Sequence, residues 1–124
     1  MNRKRILVVD DETNITELLK LNLEKTGLYT VRTANRGHEV LGAAREFKPD
    51  LVLLDVMMPG MDGGDVAAQL QSEPAFKKTP IVFLTAVVKK EEVDAHAGVI
   101  GGFPYIAKPL DVKGVLRIIE ENLL

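Results

Sequence analysis

Five side chains suited to phosphorus chemistry stand at the ends of short apolar runs. Ile6-Leu7-Val8-Val9 leads into Asp10 and Asp11, Leu51-Val52-Leu53-Leu54 into Asp55, Ile81-Val82-Phe83-Leu84 into Thr85, and Tyr105-Ile106-Ala107 into Lys108 and Pro109. A carboxylate can attack phosphorus and become an acyl phosphate. A divalent cation can hold the phosphoryl oxygens while it does so. Clustered carboxylates repel by about 4 kcal/mol per pair at about 4 Å and an effective dielectric near 20, so a fold that gathers them needs a cation there. All the candidate ligands are oxygens, which selects a hard ion, Mg²⁺. Three aspartates, one lysine and Mg²⁺ sum to zero charge before a phosphoryl group arrives. The chemistry these residues spell is metal-assisted phosphoryl transfer.

The elements that must position them are strands. Runs rich in β-branched residues and lacking polar alternation belong to strands buried on both faces. If the strands lie parallel, their C-terminal ends share one edge, where open α/β sheets place their sites. Between the runs the apolar spacing turns helical. Ile15, Leu18, Leu19 and Leu23 predict a helix over residues 14–26, capped by the pair Asn14 and Glu17 and stopped by Gly27. That cap leaves Asp10 and Asp11 without a structural duty. A second strand over 29–33 alternates like an outer strand, and Asn35 is placed to cap a helix ending near Phe47, before Lys48-Pro49. Pro59-Gly60 has the residue order of a type II turn. Helices are expected over 63–72, 89–97 and 112–123, and the run over 105–107 reads as an outermost strand because Pro104 opens it. Alternating strands and helices predict one α/β domain over residues 1–124, its parallel sheet covered on both faces.

Composition narrows the function classes. The chain has 124 residues, 46% of them hydrophobic, which suits one compact domain. Its 16 basic and 18 acidic residues leave a formal charge of -2, so no footprint for direct nucleic-acid binding exists. Without cysteine there is no disulfide or thiolate metal site. No signal or membrane-spanning pattern is present, and the cytoplasm is the expected compartment. The sequence ends with the last predicted helix, as expected either of a stand-alone regulator or of part of a longer protein.

Asp10-Asp11, the stretch from Leu54 through Asp55, Met57, Pro59 and Gly60 to Gly63, Thr85-Ala86, and Tyr105 followed by Lys108-Pro109 together resemble the receiver domain of two-component response regulators. The resemblance covers nearly the whole chain. It implies a flavodoxin-like, five-stranded sheet of order 2-1-3-4-5 with five helices. It implies that Asp55 accepts a phosphoryl group from a phosphohistidine on a histidine kinase or histidine phosphotransfer protein. Asp11, Asp55 and the backbone carbonyl of Met57 would ligate Mg²⁺, with Asp10 acting through water. Lys108 would pair with the phosphoryl group across a cis Lys108-Pro109 bond. Thr85 and Tyr105 would move with the phosphate and alter the surface of the fourth helix, fifth strand and fifth helix. Met57 and Val87 would flank the path of hydrolytic water, and being apolar would slow hydrolysis. Receivers commonly carry Gly-Ala and two polar residues where this chain has Gly101-Gly102-Phe103-Pro104.

The resemblance implies a switch that assists its own phosphorylation and dephosphorylation, not a turnover enzyme. Two other readings share part of the pattern. A haloacid-dehalogenase-like phosphatase needs an acid two residues after its nucleophile, and Met57 stands there. A flavin carrier needs a first loop that welcomes phosphate, and Asp10-Asp11-Glu12 would repel one.

Overall fold

The structure is a computed structural model that describes residues 3–85, 99–100 and 103–123. The helix expected over 89–97, with Ala86, Val87, Gly98, Gly101 and Gly102, lies outside the described residues. In chain order the elements are β1 (Lys4–Val9), α1 (Thr13–Lys25), β2 (Tyr29–Ala34), α2 (Val40–Phe47), β3 (Leu51–Asp55), β4 (Met57–Met58), β5 (Met61–Asp62), α3 (Gly63–Ser72), β6 (Ile81–Thr85), β7 (Val99–Ile100), β8 (Phe103–Ala107) and α4 (Val112–Leu123). Single 3₁₀ turns occupy Gly37–Glu39 and Pro74–Phe76.

The five long strands pair in the order β2-β1-β3-β6-β8, all parallel, which is the expected 2-1-3-4-5 arrangement. β3 is central, flanked by β1 (Val8 opposite Leu53) and β6 (Leu53 opposite Val82). One expectation about the sheet needs correction: at Phe103 and Pro104, β8 is not the outermost strand. The two-residue β7 pairs antiparallel along it, Val99 opposite Pro104 and Ile100 opposite Phe103. β4 and β5 form a separate small hairpin around Pro59-Gly60, with Gly60 at φ +77°, the left-handed value a type II turn requires.

Each central strand feeds two cores, because alternate side chains point to opposite faces. Leu7, Val9, Val52, Leu54 and Phe83 pack with Val40, Ala44, Val66 and Leu70 of α2 and α3. Ile6, Val8, Leu51, Leu53, Val82 and Leu84 pack with Leu19 and Leu23 of α1 and Val115 and Ile119 of α4. That is why these runs show no polar alternation.

Two predicted helix caps are absent. α1 begins at Thr13 with Glu12 at its N-cap and no side-chain cap, so Asn14 lies inside the first turn. Instead, the Asp10 carboxylate accepts a hydrogen bond from the Glu12 N–H at 3.0 Å. Asn35 does not cap α2 either, since a 3₁₀ turn from Gly37 intervenes. Leu18 is 49% exposed, not part of the core as its spacing suggested.

The edge of the sheet opposite the strand ends is made of turns. Gly27 at φ +78° links α1 to β2, and Lys48 at φ +55° with Pro49 ends α2. An open cleft of about 630 Å³ lies on that edge, lined by Arg5, Lys48, Asp50, Lys77 and Pro80 among others. Among the described residues no helix is long and apolar enough to cross a membrane.

Candidate functional site

β1, β3, β6 and β8 all run the same way, so Asp10, Asp55, Thr85 and Lys108 arrive together at one edge. Asp55 is the last residue of the central strand and is 4% exposed; Asp10 is fully buried. The carboxylates of Asp10, Asp11 and Asp55 offer oxygens that all lie within 4.8 Å of one another. Lys108 faces them, its Nζ 2.7 Å from Asp10 Oδ2 and 3.7 Å from Asp55 Oδ1. Asp11 stays exposed at the mouth.

Backbone hydrogen bonds fix these ends. Asp10 N–H donates to the Ala34 carbonyl at 3.2 Å, Val56 N–H to Leu84 at 2.9 Å, and Lys108 N–H to Thr85 at 2.8 Å. The Lys108-Pro109 peptide is cis. Met57 opens β4 two residues beyond Asp55; its N–H reaches Asp55 Oδ1 at 3.4 Å while the residue is 63% exposed. Thr85 is buried at the end of β6, on the same face as Phe83. Tyr105 lies half-buried on β8 with its ring centroid 5.2 Å from that of Phe83, and Phe103 meets Phe83 edge-on at 5.1 Å.

The electrostatics show a cluster short of positive charge. Burial and the neighbouring Asp10 carboxylate push the Asp55 carboxyl up to about 7, the Asp11 carboxyl adds to this through a hydrogen bond, and Lys108 and the Met57 N–H only partly offset it. Burial pulls Lys108 down, but Asp10, Asp55 and Glu12 outweigh that and leave it above the ordinary lysine value. Three carboxylates against one ammonium make an oxygen-only donor set that suits a hard divalent cation.

Three neighbours went unrecognised in the sequence. Glu12 Oε1 lies 3.8 Å from Lys108 Nζ, a third acid on the same ammonium. The Asn35 side chain binds the Asp10 carbonyl. Gly63, the first residue of α3, donates to the Val56 carbonyl at 2.7 Å, and a Cβ there would collide with the Asp55 carbonyl and come within 2.7 Å of the Val56 Cα. The helix expected over 63–72 placed Gly63 at its start, but not what the glycine touches.

Comparison with known proteins agrees with this arrangement. The family model described as the response regulator receiver domain matches residues 6–120. The alkaline phosphatase synthesis transcriptional regulatory protein PhoP of Bacillus subtilis is 45% identical over 122 residues, covering 92% of this chain and 49% of that protein. The chain thus spans about half the length of that curated relative. A putative response regulator from Chloroflexus aurantiacus superposes with a TM-score of 0.83 at 31% identity, over 98% of both chains. The Vibrio cholerae chemotaxis protein CheY4 does so with a TM-score of 0.82 at 28% identity, over 97% of this chain and 98% of that one. With the family model covering nearly its full length and the strand ends converging as described, the chain belongs to the receiver domain family of two-component response regulators.

Proposed function

We propose that Asp55 is the phosphoacceptor of this receiver and that its donor is a phosphohistidine on a histidine kinase or histidine phosphotransfer protein in the cytoplasm. The observation that carries this reading is the position of Asp55: buried at the end of the central strand, within 4.8 Å of two further carboxylates and 3.7 Å from an ammonium. A carboxylate oxygen of Asp55 attacks phosphorus, the P–N bond to the imidazole breaks, and the ring nitrogen leaves with the bonding pair and takes a proton. The product is an acyl phosphate. Asp11, Asp55 and the Met57 carbonyl are the residues that would hold Mg²⁺, and Asp10 would act through a bound water. The ion, when bound, supplies positive charge for the phosphoryl oxygens.

Lys108 moves from neutralising Asp10 to pairing with the phosphoryl group. Thr85, on the neighbouring strand end, offers its hydroxyl to a phosphoryl oxygen. No leaving group requires a side-chain acid, and the exposed thioether of Met57 can neither donate nor accept a catalytic proton. The domain therefore acts as a switch rather than a turnover enzyme. Incubation with a small acyl-phosphate donor and Mg²⁺ is expected to add one phosphoryl group by intact mass, and Asp55→Asn to abolish it. Labelling that survives unchanged in Asp55→Asn would overturn the assignment.

A further inference from the structure

The side-chain amide of Asn35 stands at the end of β2, yet it serves neither its own strand nor the helix that follows. Its nitrogen donates to the backbone carbonyl of Asp10 at 2.9 Å and to Oγ1 of Thr16 at 3.0 Å. An amide nitrogen has two hydrogens, and both are committed. Thr16 is 1% exposed and passes its own hydroxyl hydrogen to the Thr13 carbonyl at 3.0 Å. One side chain thus ties together the end of β1, the end of β2 and the first turn of α1.

The segment pinned in this way carries two of the three carboxylates. The Asp10 carbonyl belongs to the peptide group that leads into Asp11. That group is planar, so fixing its oxygen fixes the direction in which the Asp11 Cα leaves β1. Thr16 pins the other end of the same segment. Asp11 itself is exposed, and one of its carboxylate oxygens lies within 4.8 Å of oxygens of Asp10 and Asp55. Asn35 also lines, with Asp11, a cleft of about 470 Å³ beside the site.

We infer that Asn35 is a positioning residue: through its paired bonds to Asp10 and Thr16 it holds the Asp11 carboxylate at cation-binding distance from Asp55. This rests on the reading of the acidic cluster as a Mg²⁺ site. Residues that orient metal ligands without touching the ion typically contribute about 10–100-fold to affinity.

The test is the Mg²⁺ dissociation constant, measured by calorimetry or amide chemical shifts on unphosphorylated protein, beside the melting temperature without metal. Asn35→Ala should weaken Mg²⁺ binding by about 10-fold. Thr16→Val, which keeps shape and loses the hydroxyl, should weaken it by less, and Thr16→Ser should restore it. The double variant Asn35→Ala with Thr16→Val should bind no worse than Asn35→Ala alone, because both act through one clamp. Ile119→Val, a core change on α4, serves as a control that lowers stability without touching the clamp. Asn35→Ala binding Mg²⁺ within about twofold of wild type would overturn the role of Asn35 alone. So would an affinity loss matched by Ile119→Val. If Asn35→Ala does not fold, Thr16→Val against Thr16→Ser decides, and equal affinities there overturn the clamp. Wild type that binds no Mg²⁺ would overturn the site reading itself, and the clamp with it.

Discussion

A carboxyl group with a pKa of about 7 is divided between two protonation states at neutral pH, and Asp55 is such a group when no cation is bound. Its ordinary value is 3.8, so between that pH and about 7 the folded protein holds more protons at this site than the unfolded chain. Stability falls with rising pH wherever the native state binds more protons. The contribution of Asp55 is therefore fully present below about pH 4 and is lost as pH rises through about 7. Asp55→Asn, which stays neutral, should melt close to wild type near pH 4 and above it near pH 8, without metal. Thermal melts at the two pH values check this; a gap that does not widen with pH would refute the charge assignment. Mg²⁺ should raise the wild-type melting temperature more near pH 8 than near pH 5, since binding the ion expels the proton.

Among the elements, α3 is pressed against the site strand through a residue with no side chain. Gly63→Ala must drive the first turn of α3 away from the Asp55-Val56 backbone, because backbone atoms cannot swing aside as a flexible side chain does. Overpacking of this kind typically costs about 1–3 kcal/mol. The variant should lower the denaturation midpoint and slow phosphorylation by an acyl-phosphate donor more than Gly42→Ala, a glycine whose Cβ would meet nothing. Equal effects of the two would show that the close approach does not matter. A second element-scale expectation concerns β6 and β8. Thr85 and Phe83 share one face of β6, and Phe83 holds the Tyr105 ring at 5.2 Å and the Phe103 ring at 5.1 Å. Thr85→Ala should keep phosphorylation but blunt the chemical-shift changes of Phe103 and Tyr105 on adding an acyl-phosphate mimic with Mg²⁺. Full-size changes in that variant would mean the signal leaves by another route.

What could be read from the sequence divides by the range of the cause. Strands buried on both faces write their burial directly into composition, so the apolar runs located β1, β3 and β6, and the residue ending each run reached the site. α3 and α4 matched to the residue because Gly63 and the helical spacing of Val115 and Ile119 are local signals. The two-residue strands β4, β5 and β7 are too short to display any period. The caps failed for the opposite reason: Asn35 is a good capping residue, but a tertiary hydrogen bond to Asp10 outcompeted the local one. Gly63 was visible as the start of a helix, while its neighbour across space was not.

For the molecule as a whole, chemistry occupies one edge of the sheet and the turns at Gly27, Lys48-Pro49 and residues 77–80 occupy the other. Strands of five or six residues, at about 3.3 Å each, hold the two edges roughly 15–20 Å apart. That separation makes the turn edge a place where the chain can be lengthened or joined to another protein without reaching the acid cluster. Gly27 and the 62%-exposed Leu28 form the natural splice point. The backbone on either side is already secured, Gly27 N–H to Glu24 and Lys4 N–H to the Leu28 carbonyl. A flexible insert there adds only about 0.6 kcal/mol of closure entropy for each doubling of loop length. A glycine-serine insert between Gly27 and Leu28 should leave acyl-phosphate labelling of Asp55 within about twofold of the parent, by the same small loop-closure cost. The same insert between Pro59 and Gly60 should abolish it. A reporter domain grafted at Gly27 would then ride on a working switch, and equal loss at both positions would show that the two edges are not separable.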